Sequence, residues 1–205
     1  MYKFGQIEIE SKKFNSIYEV QKDIDLGKIR VSEGVVANRC DTRFIIGYEV
    51  EPGVIVPLYI KTPKSCFSSG VGRYNESSPL KMGFYVMEDE AWMMQYVAVW
   101  ETVEELLEQA LTGHPLRNGW LNAKLITWDG KIRTRFIRNN SLVRLEGIES
   151  CNATGVFKMS SVYRQGSNNH FQVFLKECKY KEQVVAFNSL LSDDESDDDV
   201  DDTVY

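Results

Sequence analysis

Two runs, 43–50 and 54–61, are rich in Val, Ile and Tyr and are split by Glu51-Pro52-Gly53. Pro-Gly is a strong turn signal, so the pattern predicts strand, turn, strand. Pro57 has no N–H to give to a ladder, which predicts an edge or a bulge in the second strand. Residues 80–87 predict a further strand. The intervening stretch, 62–79, is dense in Pro, Ser, Gly and Asn and predicts a long loop carrying Lys64, Phe67, Arg73 and Tyr74. Residues 1–38 offer only short apolar pairs and predict strands or extended arms.

The period then changes. Met93, Tyr96, Val97, Trp100, Val103, Leu107 and Leu111 recur at helical spacing and predict one helix over about 89–111. Glu88, Asp89 and Glu90 suit its N-terminus, and Gly113 and Pro115 stand beyond its end. Trp92, Tyr96 and Trp100 read as core packing. Residues 121–128 and 131–138 flank Asp129-Gly130, which predicts a hairpin with a two-residue type I′ turn. Residues 151–164 and 170–180, around a turn at 165–169, predict a last hairpin. Many strands with one helix inserted between them predict a mainly β fold, a barrel or a sandwich.

The central hairpin has chemical content. A two-residue turn sets Trp128 opposite Lys131, Ile126 opposite Arg133 and Lys124 opposite Arg135. One face then carries Asn122, Lys124, Ile126, Trp128, Lys131, Arg133 and Arg135. The other carries Leu121, Ala123, Leu125, Thr127, Ile132, Thr134 and Phe136 and must look inward. Like charges opposite one another cost stability, so a basic face without acids calls for an external anion. Cations that follow a phosphate chain, beside an indole that stacks on a base, are what sequence-independent single-strand binding requires. Arg138 extends this basic window. Lys61, Lys64, Arg73 and Tyr74 flank the long loop, and Tyr163, Arg164 and His170 edge the last turn. The competing reading is a basic, solvated sheet face.

The net charge of -6 hides an asymmetry. Asp193, Asp194, Glu195, Asp197, Asp198, Asp199, Asp201 and Asp202 supply eight of the 30 acids, so 22 acids face 24 Lys and Arg in the rest of the chain. A mildly basic body with an acidic tail points to a charged partner. A single domain is predicted over 1–182, with 183–205 too charged to bury anything and so disordered. Such a tail mimics a phosphate chain. It is expected to compete for the basic groove or to dock on basic partner proteins, with Val204 and Tyr205 as an apolar hook.

Cys40, Cys66, Cys151 and Cys178 lack zinc-ligand spacing and read as reduced thiols in an intracellular compartment. No stretch is long and apolar enough for a spanning helix, and the N-terminus does not read as a secretory signal. His114 and His170 are not in metal spacing, and there is no phosphate-cradling glycine loop or Gly-x-Ser-x-Gly elbow. The expectation is a non-enzymatic protein with no cofactor or metal.

The run Pro57-Leu58-Tyr59-Ile60-Lys61-Thr62-Pro63-Lys64, Gly70-Val71, the strand at 80–87 and the acidic-start helix resemble one known family. So do the segment from Gly155-Val156-Phe157 to Gln165-Gly166, the last strand at 171–177, and the acidic tail ending on Tyr205. That family is the OB-fold single-stranded DNA-binding proteins of large DNA viruses and some tailed phages. The likeness covers 24–180 plus the tail. Ser161, Val162 and Tyr163 depart from it where such proteins often carry an aromatic. The resemblance implies an OB-like β-barrel that coats single-stranded DNA in viral replication or recombination. It implies Lys61 and Lys64 as groove residues and a tail that recruits replication proteins, in the host nucleus or a cytoplasmic replication site. RNA stays open as the strand, because the contact that separates it from DNA is a local one to the 2′-hydroxyl. A homo-oligomer stays open too. The alternative is a structural or protein-interaction component of a viral or replication assembly.

Overall fold

A computed structural model describes residues 1–38, 41–62, 64–73, 75–113, 116–144 and 148–180. Tyr74 and the whole tail, Asp193 to Tyr205 included, lie outside these residues, as does Cys40. The first strands are β1 (Tyr2–Phe4), β2 (Ile7–Ile9), β3 (Ile29–Val31) and β4 (Val35–Asn38), with a short helix α1 (Ser11–Ser16) after β2. Then come β5 (Asp41–Glu51), β6 (Val54–Lys61), β7 (Cys66–Gly72), β8 (Lys81–Tyr85) and the long helix α2 (Glu90–Leu107). The second half holds β9 (Trp120–Leu125), β10 (Thr127–Trp128), β11 (Lys131–Ile132), β12 (Arg135–Arg138) and β13 (Ser141–Val143). It closes with β14 (Cys151–Gln165) and β15 (Asn168–Tyr180). The fold is mainly β, and no helix among the described residues is long and apolar enough to cross a membrane.

Five of these strands pair in a ring, from β15 through β9, β8, β7 and β14 back to β15. All pairs in the ring are antiparallel except β9 with β15, which is parallel. Period-2 alternation sends Met82, Phe84, Leu121, Ala123, Leu125, Phe157, Met159 and Leu175 inward, each essentially without exposure. Helix α2 adds Trp92, Tyr96, Val99, Trp100 and Val103 to the same core. Each such large side chain contributes about 1.5–3 kcal/mol by leaving water. The Trp92 indole N–H donates to the Lys61 carbonyl at 2.9 Å and ties the start of α2 to β6.

The β5–β6 hairpin forms as predicted, with Gly53 at φ +81° in its turn. Pro57 is not on an edge. It pairs with Gly47 of β5, and β14 joins β6 only from Leu58 onward. The missing N–H coincides with the place where β14 leaves β6 for β5, and the irregularity there lies in β14, between Met159 and Ser161. The last hairpin also matches, turning at Gly166 (φ +59°).

Three expectations fail for identifiable reasons. Helix α2 stops at Leu107, because Glu108 takes the left-handed conformation (φ 52°) and its N–H closes back on the carbonyls of Glu104 and Glu105. Leu111 is buried after the turn, its N–H held by the Glu104 carboxylate at 2.7 Å. Residues 66–72, expected in a loop, form β7 between β8 and β14. A Cβ on Gly70 (φ +74°) would lie 2.8 Å from the Ile148 oxygen and from the Glu149 carbonyl carbon, so glycine marks close backbone approach here and not a loop. Gly70→Ala is expected to lower stability by about 1–3 kcal/mol in thermal or denaturant unfolding. Gly72→Ala, whose Cβ meets open space, is expected to cost little by the same measurement. Finally, α1 was not foreseen. With β1 and β2 it seats Phe4 and Phe14 on Ile45 and Ile55, a second small core on the outer side of the sheet.

The largest correction concerns 121–138. The inner turn is as predicted. Thr127 pairs with Ile132 and Trp128 with Lys131, and Asp129 (φ 50°) and Gly130 (φ 67°) have the positive angles of a type I′ turn. Beyond it one backbone bond, from the Arg133 N–H to the Ile126 carbonyl at 2.7 Å, still joins the arms, and past Ile126 and Arg133 they do not pair. Lys124 and Leu125 run parallel to Phe174 and Leu175 of β15, and Arg135 to Arg138 run parallel to Glu177 to Tyr180 of the same strand. The chain follows one edge of β15, leaves it as a short hairpin, and rejoins it. Thr134 clips the base of this excursion. Its hydroxyl donates to the Leu175 carbonyl at 2.6 Å and accepts from the Ile126 N–H at 2.8 Å. Lys124 is therefore opposite Lys81, not Arg135. Thr127, expected inside, is exposed.

Candidate functional site

One row of cross-strand partners crosses four strands of the ring and β6, which lies outside it, and Tyr59 in this row is buried. Tyr59 on β6, Lys158 on β14, Phe174 on β15, Lys124 on β9 and Lys81 on β8 are successive cross-strand partners. Partners in register project to the same side, so rings and cations share one row across five strands. Beside this row lies a cavity of about 570 Å³. Arg43, Lys158, Phe174 and Lys176 line it, with Tyr2 and Asn15 from the N-terminal cover and Thr127 and Trp128 from the excursion. No carboxylate is among the described residues that line it.

The charges in this groove are held under repulsion. Burial, then Lys176 and Arg43, push the Lys158 ammonium down to about 8. Burial, then Lys81 and Arg43, lower Lys124 as well. Their hydrogen bonds go to neutral acceptors. Lys158 donates to Asn15 Oδ1 at 2.8 Å and Lys124 to Gln172 Oε1. Lys158 also lies 5.9 Å from the ring centres of both Phe14 and Tyr59. Among the described residues, both half-buried cations have neutral hydrogen-bond partners, and no carboxylate lines the groove.

The residues singled out from sequence divide. Lys124 sits in the row, and Trp128, 67% exposed, stands on the groove wall with Lys131 opposite it. Arg133 is exposed on the same excursion, its backbone N–H closing on the Ile126 carbonyl at 2.7 Å. Arg135 is held by an internal acid, since its guanidinium lies 3.4 Å from Glu177, which Lys179 also approaches at 3.7 Å. Arg138, at the end of β12, does not line the groove. Lys61 lines a separate cavity, while Lys64 is exposed and the Arg73 guanidinium donates to the Glu76 carbonyl at 3.0 Å. Tyr163 lines a cavity adjoining Arg43 and donates to Asp41. Arg164 is engaged elsewhere, its Nε donating to Asn169 Oδ1 at 2.9 Å and its guanidinium 4.5 Å from the centre of the Phe44 ring.

Sequence reading missed Arg43, Tyr59, Lys81, Lys158, Phe174 and Lys176. Alternation along 157–159 and 173–176 does put Lys158, Phe174 and Lys176 on the polar side. What the alternation cannot supply is the neighbour across the ladder. The chain as a whole matches no protein-family model and no curated protein sequence.

Proposed function

We propose that this protein binds single-stranded nucleic acid without sequence preference, along the outer face of the ring and the groove beside it. The observation that carries the reading is the Tyr59–Lys158–Phe174–Lys124–Lys81 row, in which the partly exposed Phe174 ring lies beside cations suited to phosphates, while Tyr59 is buried and packs against Lys158. The ring supports it. Taken in chain order as one to five (β7, β8, β9, β14, β15), its strands pair 1-2-3-5-4-1, with three and five parallel, the order of an OB barrel. Here α2 enters between strands two and three. OB barrels bind oligonucleotides on the face of strands two and three and with the loops joining one to two and four to five. Lys81 and Lys124 are on those strands, and Arg73 and Tyr163 flank those loops. In this reading the site is centred on the row, and Arg135 contributes less than the sequence suggested because Glu177 neutralises it.

The role we infer is coating of single strands in DNA replication or recombination, in a viral setting, with the 183–205 tail competing for the groove and recruiting replication proteins. The test is a fluorescence titration with single- and double-stranded oligonucleotides at two salt concentrations. Of the four tryptophans Trp128 is the exposed one beside the groove, Trp92 and Trp100 are buried, and the half-buried Trp120 packs away from the groove against Tyr85 and Phe67, so Trp128→Phe should remove the quenching. Single strands are expected to quench emission and duplex is not, with an affinity that falls by about 0.7 log units per log unit of salt for each phosphate bound. Removal of Asp193–Tyr205 is expected to tighten binding, most at low salt. Failure of any strand to bind at very low salt would overturn the reading. It would favour a structural or protein-interaction component instead, for which Val36 and Leu142, 77% and 71% exposed on β4 and β13, are the supporting feature.

A further inference from the structure

A second cavity, of about 510 Å³, is lined by Tyr18, Val20, Lys22, Lys61, Val156 and Glu177. Tyr18 links it to the groove already described. Its ring is 42% exposed and meets the Tyr59 ring edge-on, centres 5.1 Å apart, and the Lys176 ammonium lies 5.5 Å from the Tyr18 centre. Tyr59 and Lys176 both line the first groove. Burial, then the charge of Glu177, raise the Tyr18 phenol, and Arg135 opposes them. Tyr59 itself is buried, so a strand leaving the first groove past Lys176 meets, in succession, the exposed Tyr18 ring and a recess. The recess is walled by Val20 and Val156, with Lys22 and Lys61 exposed at its rim.

Resting on the single-strand reading above, we propose that this recess is a second subsite. It takes one further base of the same strand, stacked on Tyr18, with its phosphate at Lys61 and Lys22. The apolar walls fit a base better than an isolated phosphate. Glu177 does not repel the strand as a free carboxylate would, because Arg135 and Lys179 flank it. Lys61 thereby acquires a place in the site that the first groove did not give it.

Chain length separates the two subsites. Wild-type protein, Tyr18→Phe and Tyr18→Leu are titrated with a thymidine oligonucleotide of about four nucleotides and one of about twelve. Circular dichroism and thermal midpoints check the fold. The Leu variant is expected to bind the long strand about tenfold or more weakly and the short strand as the wild type does, and the Phe variant to restore long-strand affinity. Wild-type affinity of the Leu variant for the long strand overturns the second subsite and leaves the groove standing. Equal losses on both strands also overturn it, assigning Tyr18 to support of Tyr59 and Lys176. If the wild type binds neither strand, the groove reading fails with it.

Discussion

Replacing Lys124 and Lys158 together by methionine is expected to weaken single-strand binding at least a hundredfold while leaving the free protein as stable as before, or more so. Each hydrogen bond from an ammonium to a phosphate contributes about 1.5–3 kcal/mol, and two removed together exceed two powers of ten. The stability side follows from the same geometry. Lys124 faces Lys81 across the ladder, and Lys158 is crowded by Lys176 and Arg43, so both cations are held against burial and repulsion. Methionine keeps the aliphatic stem against Phe14, Tyr59 and Phe174 and removes the charge. Gln172 and Asn15 each lose a donor, but Asn15 is exposed and keeps its bonds to Ser11 and Tyr2, at 2.8 and 3.2 Å. Among the described residues neither lysine forms an ion pair, and cations that cost stability where they stand are what the proposed anionic partner would require. A filter-binding titration and a urea midpoint on the same variant decide the matter. Unchanged affinity with a lowered midpoint would make these lysines structural and sink the interface.

The distance between what was legible and what was not is set by ladder partners. Local signals were read correctly where one short segment decided the outcome. The Asp129-Gly130 turn, the Pro52-Gly53 turn and the start of α2 at Asp89 are of this kind, the last capped by the Asp89 carboxylate accepting the Trp92 N–H at 3.1 Å. The inward set Leu121, Ala123, Leu125 and Phe136 also followed from alternation and is buried. The Tyr59–Lys158–Phe174–Lys124–Lys81 row did not follow, because its members are brought together by β14 and β15. Strand β15 pairs with β14 on one side and with β9 and β12 on the other. Nothing between 121 and 138 says that the two arms part at Ile126 and Thr134. The clip that parts them is the bond to Leu175, 41 residues away. The basic positions of 121–138 therefore have other cross-strand partners than the local pattern predicts. Lys124 lies in the row because alternation phases its own side of the strand, whereas Arg135 meets Glu177 on a strand that periodicity alone does not bring alongside.

Affinity for single strands is expected to fall as pH rises through about 8, while the stability of the free protein rises over the same window. Lys158 is the cause of both. Its ammonium titrates at about 8 in the folded chain, against an ordinary lysine value near 10.5, because burial and the facing Lys176 and Arg43 disfavour the charge. The other groups packed on it, Asn15 and the rings of Phe14 and Tyr59, are neutral. Between the two values the unfolded chain holds a proton that the folded chain has released. The unfolded state then binds more protons, and stability grows with pH. A bound phosphate reverses the preference, raising the Lys158 value and drawing the proton back. Above pH 8 the log of the affinity should drop by up to about one unit per pH unit, the limit for one coupled proton. Lys124, also lowered, adds to the fall in the same direction. Lys158→Arg keeps its charge throughout and should flatten the affinity profile between pH 7 and pH 9. Calorimetric titrations at pH 8.5 in two buffers of different ionisation enthalpy should show proton uptake by the wild type and less by the Arg variant. A wild-type profile flat through pH 9, with no buffer dependence, would mean that the strand never reaches Lys158.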